Sequence, residues 1–166
     1  MKMAEMRIQT DLNNLPEEPW FEIPPPDPNN LFLQEIEIVP PEGFWVGARY
    51  KFRCHIPKDY PFSPPKLHCD TLVYHPNIDL SGNVCISILK NNGKPEGWSI
   101  QRSLTDVLFG IAALFTEPNV DDPLNFEAAD LLAKQPEEFK KLVRRTLKGE
   151  TVTVNKESRK FEKLVN

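Results

Sequence analysis

Proline placement constrains this chain more than any other feature. Seventeen prolines fall mainly in four clusters, at 24–28, 40–41, 57–65 and 118–123. A proline inside a helix removes a hydrogen bond and clashes with the preceding turn. Long helices are therefore confined to the two ends. The middle must fold from short extended pieces joined by turns, so the prolines read as punctuation in a folded chain.

Between the clusters the patterns are clear. Ile8, Leu12 and Leu15 recur at helical spacing, predicting a first helix from Met3 to Leu15, closed by Pro16. Phe21 and Ile23 form a short edge strand before Pro24-Pro25-Pro26. Leu31–Val39 and Ala48–Ile56 both alternate. Ile36 and Ile38 oppose Glu35 and Glu37, while Tyr50, Phe52, Cys54 and Ile56 oppose Lys51, Arg53 and His55. Leu67–Val73 supplies a further strand. With turns between them and no helical crossover, these strands form an antiparallel meander.

Helices resume at Ser103-Leu104-Thr105-Asp106, a capping-box start with Asp in the Glu position. That helix is apolar on most sides and stops at Thr116-Glu117-Pro118. A short helix over Phe126–Ala133 follows, then one from Pro136 with Phe139, Leu142, Val143 and Leu147 as its stripe and Gly149 as its stop. Glu157–Val165 is expected to be a last helical segment, anchored by Phe161 and Leu164. The fold class is α+β: an N-terminal helix, a four-stranded antiparallel meander sheet and C-terminal helices. It makes one domain over 1–166, with a core at about 5–148 and a helical tail at 149–166.

Charge and cysteine usage exclude several classes. A net charge of −4 disfavours broad nucleic-acid binding. Residues 1–50 carry three basic against nine acidic side chains, and the tail from Lys134 carries ten against five, an asymmetry that fits a solvated helix face or a protein partner. No apolar run reaches membrane-spanning length, and Met1–Thr10 lacks the apolar core of a secretory signal. Three cysteines without a CxxC pattern leave an odd thiol, which suits a reducing cytoplasm or nucleus. The Cys and His spacings match no structural zinc pattern, so no metal site is expected.

Chemistry concentrates in Tyr74–Leu89. Cys85 sits between a polar turn (Asp79, Ser81, Gly82, Asn83) and an apolar run, eight residues after Asn77 in a stiff His75-Pro76-Asn77 segment. Cys54 and Cys69 lie on apolar strand faces and read as core. Cys85 is either an ordinary half-buried cysteine or a shallow reactive one. A Cys-His hydrolase would need His75 as its base, but between Tyr74 and Pro76 that ring reads as a structural part of the turn. An acyl thioester on Cys85 needs less: an oxyanion donor such as Asn77, and an acid for an incoming amine, Asp121 or Asp122. The glycines form no phosphate-binding fingerprint, so such a thioester would have to be received from another enzyme.

These residues resemble the ubiquitin-conjugating enzyme family from about Arg7 to Leu147. Arg7-Ile8 and Asp11-Leu12 resemble its first helix, and Tyr60-Pro61-Phe62-Ser63-Pro64-Pro65 resembles its Tyr-Pro-x-x-Pro-Pro turn. His75-Pro76-Asn77, seven residues and Cys85 match its catalytic signature. Glu117–Leu124 matches its Asp-Pro-Asn-x-Asp-Asp-Pro-Leu loop with Glu117 in first position. The resemblance implies the ubiquitin-conjugating fold. It also implies a transferase that takes a ubiquitin-like modifier from an activating enzyme onto Cys85 and passes it to a substrate lysine, usually with a RING-type ligase. Asn77 would support the oxyanion or organise its loop, and Asp122 would handle the acceptor lysine. Phe62, with Arg7, Ile100 and Gln101, would contact the activating enzyme and ligase. No cofactor is implied, because ATP is consumed by the activating enzyme.

Several segments are most similar to the neddylation-pathway carriers, which modify cullins: Met6–Asp11, Val73–Leu80, Gly82–Cys85, Asp122–Asn125 with Glu127–Ala129, and the tail from Arg144. The alternatives are a carrier of ubiquitin itself and a non-catalytic ubiquitin-binding module of the same fold. The chain also departs from the family. The tryptophan expected eight residues after the cysteine is Gly93, and Trp98 stands at thirteen, so Lys90–Gly97 reads as a loop with about five extra residues. Ser87 replaces a common acid, and Ser99-Ile100-Gln101 replaces Ser-Pro-Ala. Neddylation carriers often have an N-terminal docking extension. With Met1 almost at the first helix, the expectation is that this element is either absent or removed.

Overall fold

The computed structural model describes residues 2–166. Helix α1 (Met3–Asn13) leads into strands β1 (Phe21–Glu22), β2 (Leu33–Ile38), β3 (Tyr50–His55) and β4 (Lys66–Cys69). These pair antiparallel in sequential order, the expected meander, with Phe21 opposite Ile38, Ile36 opposite Phe52 and Cys54 opposite Leu67. Alternation sets the faces: Ile36, Ile38, Tyr50, Phe52 and Cys54 are all buried. Strand β4 is shorter than the expected Leu67–Val73. After Cys69 the chain turns, and Thr71 uses its hydroxyl to accept the Lys51 N–H at 3.0 Å. Among the described residues no helix is long and apolar enough to cross a membrane.

Helix α2 (Leu104–Thr116) lies across the sheet and buries Leu104, Val107, Leu108, Ile111, Leu114 and Phe115. The Phe115 ring stacks on Tyr50 at 4.7 Å and meets the edge of Trp45 at 5.7 Å. Full burial of each such side chain contributes roughly 1.5–3 kcal/mol. The helix starts as its sequence demands, with Asp106 accepting the Ser103 N–H at 2.9 Å. Buried Asp11 ties α1 to this start: its carboxylate accepts from the Leu104 N–H (3.2 Å), from Arg7 Nε (3.0 Å) and from the Tyr60 hydroxyl.

Helices α3 (Phe126–Lys134) and α4 (Pro136–Leu147) follow as expected, and Gly149, at φ +81°, ends α4. The expected helical tail over 149–166 is not formed. Strands β5 (Thr151–Val154) and β6 (Glu157–Lys160) make a hairpin instead, with Val154 opposite Glu157 across the two-residue turn Asn155-Lys156. Both turn residues have positive φ, 51° and 65°, as a two-residue hairpin turn of right-handed twist requires. Val152 and Val154 are buried and Thr151 and Thr153 exposed, a period of two that a helix cannot use. Phe161 and Leu164 do anchor the tail, but in extended chain, where the Leu164 N–H bonds to the Leu147 carbonyl at 2.8 Å.

Candidate active site

The His75-Pro76-Asn77 segment is wholly buried. His75 lies parallel to Trp45 at 4.4 Å and edge-on to Phe115. Its Nδ1 accepts the Asn77 N–H at 2.9 Å, which leaves the ring proton on Nε2, 2.7 Å from the Leu114 carbonyl. Burial pushes its pKa down to about 3 against a partial upward effect of that carbonyl. The ring is neutral and both nitrogens are occupied, so His75 is the turn-holding residue expected of it and not a base.

Pro76 and Asn77 join two loops to this segment. The Pro76 carbonyl accepts the N–H groups of Leu124 (2.9 Å) and Asn125 (3.0 Å). The Asn77 carbonyl accepts the Cys85 N–H at 2.9 Å. The Asn77 side chain takes the Asn119 N–H on Oδ1 (2.9 Å) and donates from Nδ2 to the Asn119 carbonyl (2.8 Å), with a longer contact to the Asp122 carbonyl (3.4 Å). In this geometry its amide organises the 117–124 loop. Donation to an oxyanion would require releasing the longer contact.

The polar turn before Cys85 is closed by Asp79, whose Oδ1 accepts the N–H groups of Ser81 and Asn83, both at 2.9 Å. Gly82 has φ +92°, and a Cβ there would fall 2.4 Å from the Cys69 carbonyl oxygen, so only glycine fits.

Cys85 is half-buried and opens into a cleft of about 280 Å³ with Asn77, Ile88, Gly110, Asn119 and Asp122 among its walls. Its Sγ lies 3.9 Å from Asp122 Oδ2. Burial raises its pKa above the ordinary thiol range. Asp122 adds to that rise, and Lys90 opposes it. Cys85 is therefore a thiol at neutral pH and not a preformed thiolate. Asp122 is exposed, and the Lys90 ammonium beside it holds its carboxyl below the usual range. Of the two acids expected from the loop, Asp122 is the one that lines the cleft. Cys54 and Cys69 are buried, with thiols pushed up to about 12, as core residues should be. Among the described residues no cluster of three or more His, Cys, Asp or Glu could hold a metal.

The expected partner-binding residues mostly converge elsewhere. Phe62 (64% exposed) and Ile100 (53%) line a shallow groove of about 410 Å³ with Met3, Arg7, Lys58 and Pro61. Arg7 spans it, donating to the Ile100 carbonyl (2.9 Å) and the Arg102 carbonyl (2.6 Å). Gln101 is exposed beside Ile100 but does not line the groove. Tyr60 and Pro65 are buried beneath the turn, Tyr60–Pro61 is cis, and Trp98 Nε1 donates to the Pro61 carbonyl at 2.7 Å. So Trp98 closes the loop that Lys90 opens, despite its displaced spacing. Lys90 itself was absent from the expected site. The only signal for it in the sequence is a cation five residues beyond Cys85.

The family model for ubiquitin-conjugating enzyme matches residues 7–147. The chain is 39% identical to the NEDD8-conjugating enzyme Ubc12 of Dictyostelium discoideum over 162 residues, covering 98% of this chain and 66% of that one. It is 42% identical to the Nedd8-conjugating enzyme UbcE2M of Drosophila melanogaster over 148 residues, 88% of this chain and 78% of the relative. The NEDD8-conjugating enzyme UBE2F of Gallus gallus is 39% identical over 71% of this chain and 65% of its own length. Among solved structures, Ubc12 of S. cerevisiae superposes with a TM-score of 0.86 at 33% identity, covering 99% of this chain and 88% of that one.

Proposed function

The chain belongs to the ubiquitin-conjugating enzyme family, and we propose that it carries the NEDD8-type modifier as a thioester on Cys85 and passes it to a lysine. The observation that carries this reading is the pairing of Cys85 Sγ with the Asp122 carboxylate at the mouth of one cleft, while both nitrogens of the neutral His75 ring are engaged in the buried turn. Such a site suits an acyl group that arrives already activated. A thiolate is a good leaving group, so no strong base is needed to expel it.

In the first step the Cys85 sulfur attacks the modifier's carbonyl carbon on the activating enzyme's thioester, the C–S bond to the activating enzyme breaks, and the proton that the Cys85 thiol gives up ends on the departing sulfur. In the second, a lysine amine attacks the carbonyl carbon on Cys85, Asp122 receives the amine proton, and the C–S bond breaks. Asn77 positions both the thiol and the acid, through its carbonyl and its amide. The ATP that drives loading is spent upstream, so this chain needs no cofactor of its own.

The groove at Arg7, Phe62 and Ile100, with neighbouring Gln101, is the docking surface for the activating enzyme and a RING-type ligase. Its exposed apolar side chains suit such exchange. The substrate is a cullin lysine. Three free thiols suit the reducing cytoplasm or nucleus.

Loading assays test the reading. With ATP and the matching activating enzyme, NEDD8 should form a reductant-sensitive adduct, and ubiquitin with its own activating enzyme should load far less. Preferential loading by ubiquitin would move the chain to the ubiquitin branch. No adduct with either would remove the carrier reading.

A further inference from the structure

Lys90 has no part in the transfer described above. It begins the segment that departs from the family spacing, and its backbone is fixed from both sides. Its N–H donates to the Ser87 carbonyl at 3.1 Å, and its carbonyl accepts the Trp98 N–H at 2.9 Å. Gly97 packs against this neck so closely that a Cβ would fall 2.5 Å from the Lys90 carbonyl oxygen. From this anchored position the side chain reaches Asp122, and its ammonium bonds to Oδ2. The same oxygen lies 3.9 Å from Cys85 Sγ.

An amine and a thiol thus share one carboxylate oxygen. That is the arrangement the proposed transfer requires of an incoming lysine, here supplied by the chain itself. We propose that Lys90 is a self-acceptor: in the loaded protein its amine takes the modifier from Cys85 in cis, leaving an isopeptide-linked modifier on Lys90. The inference rests on the carrier reading.

The chemistry balances without any further reactant. The Lys90 ammonium gives a proton to Asp122, and the free amine pair attacks the thioester carbonyl carbon. The nitrogen of the tetrahedral adduct gives up its second proton to the departing Cys85 sulfur as the C–S bond breaks, and Asp122 releases the first proton to solvent. A C–N bond replaces a C–S bond, and nothing is oxidised or reduced. The Asp122 pairing keeps Lys90 protonated, which slows the attack, but the pair is partly exposed (41% and 55%) and free to open. Against that stands proximity: a tethered group is presented at an effective concentration on the order of millimolar even with a flexible connection, and a fixed backbone improves on this.

The test uses the full chain loaded by the activating enzyme with ATP and NEDD8, after which loading is stopped by removing ATP. Two bands are followed, one reductant-sensitive and one reductant-resistant, with peptide mapping of the second. The expected result is first-order conversion of the first band into the second, at a rate unchanged across a dilution series, with the modifier's C-terminal remnant on Lys90. Lys90→Arg keeps a cation beside Asp122 but offers no nucleophile, so the resistant band should fall by about tenfold or more. Its thioester band in the same lane reports folding and loading. Lys94→Arg, in the same loop, should keep the resistant band. A thioester that forms without a Lys90 adduct, a rate proportional to protein concentration, or an unchanged resistant band in Lys90→Arg would each overturn the proposal while leaving the carrier reading intact. No thioester at all would overturn both.

Discussion

Two residues of the site divide the work in a way that kinetics can separate. The Asn77 amide is buried and holds the 117–124 loop, whereas the Asp122 carboxylate is exposed and faces the sulfur. Asn77→Ala leaves the Asn119 N–H and carbonyl without partners, which should cost about 1–3 kcal/mol in stability by chemical denaturation. It should still form the thioester and discharge it slowly to lysine. Asp122→Asn should keep stability within about 0.5 kcal/mol yet slow discharge to free lysine by roughly 100-fold or more, the range for a lost acid–base group. Equal effects of the two variants on stability would show that they do not play separate roles. For Cys85, burial and Asp122 raise the thiol pKa above its ordinary value near 9, so the thiolate fraction grows with pH throughout the neutral range. Alkylation by iodoacetamide should rise about tenfold per pH unit between roughly pH 6.5 and 8.5. A plateau within that range would show a preformed thiolate. The spacing of Asn77 and Cys85 was legible in the sequence because it is local. The Lys90 pairing was not, because it depends on where an irregular loop returns.

At the scale of elements, alternation and proline punctuation were enough to read the meander, and capping residues were enough to read α2 and α4. The tail misled because Phe161 and Leu164 stand three apart, the spacing of one helix face, and both do pack on the core, Phe161 buried and Leu164 partly so. The competing signal was Thr151-Val152-Thr153-Val154 followed by Asn155-Lys156, alternation ending in a residue pair that must take positive φ. That turn has a further role. The Asn155 N–H bonds to Glu127 Oε2 at 2.8 Å, and Glu127 Oε1 accepts the Tyr74 hydroxyl at 2.8 Å, so the hairpin tip braces the residue before His75. Asn155→Val puts a β-branched side chain at φ 51° and should destabilise the protein by about 1–3 kcal/mol, read as a lowered urea midpoint. A neutral result would mean that the tip refolds into another turn without loss.

For the whole molecule, one buried layer of α2 against the sheet fixes both ends of the site. Leu114 of α2 receives the His75 ring, and Gly110 of the same helix lines the cleft opposite Cys85. The turn before Cys85 is tied to the sheet through Gly82, whose carbonyl accepts the Cys69 N–H at 2.9 Å. Reactive groups are thereby held on loops while the loops are held by core residues, a division common to binding and catalytic sites. Composition alone pointed no further than a folded α+β domain with a spare thiol.

The central claim is that Cys85 holds the modifier as an acyl group. Intact mass after incubation with ATP, activating enzyme and NEDD8 tests it most directly. The account predicts a single addition equal to the modifier less one water, released by a thiol reductant and absent in Cys85→Ala. An addition that persists in Cys85→Ala before any discharge, or no addition to the native chain, would contradict it.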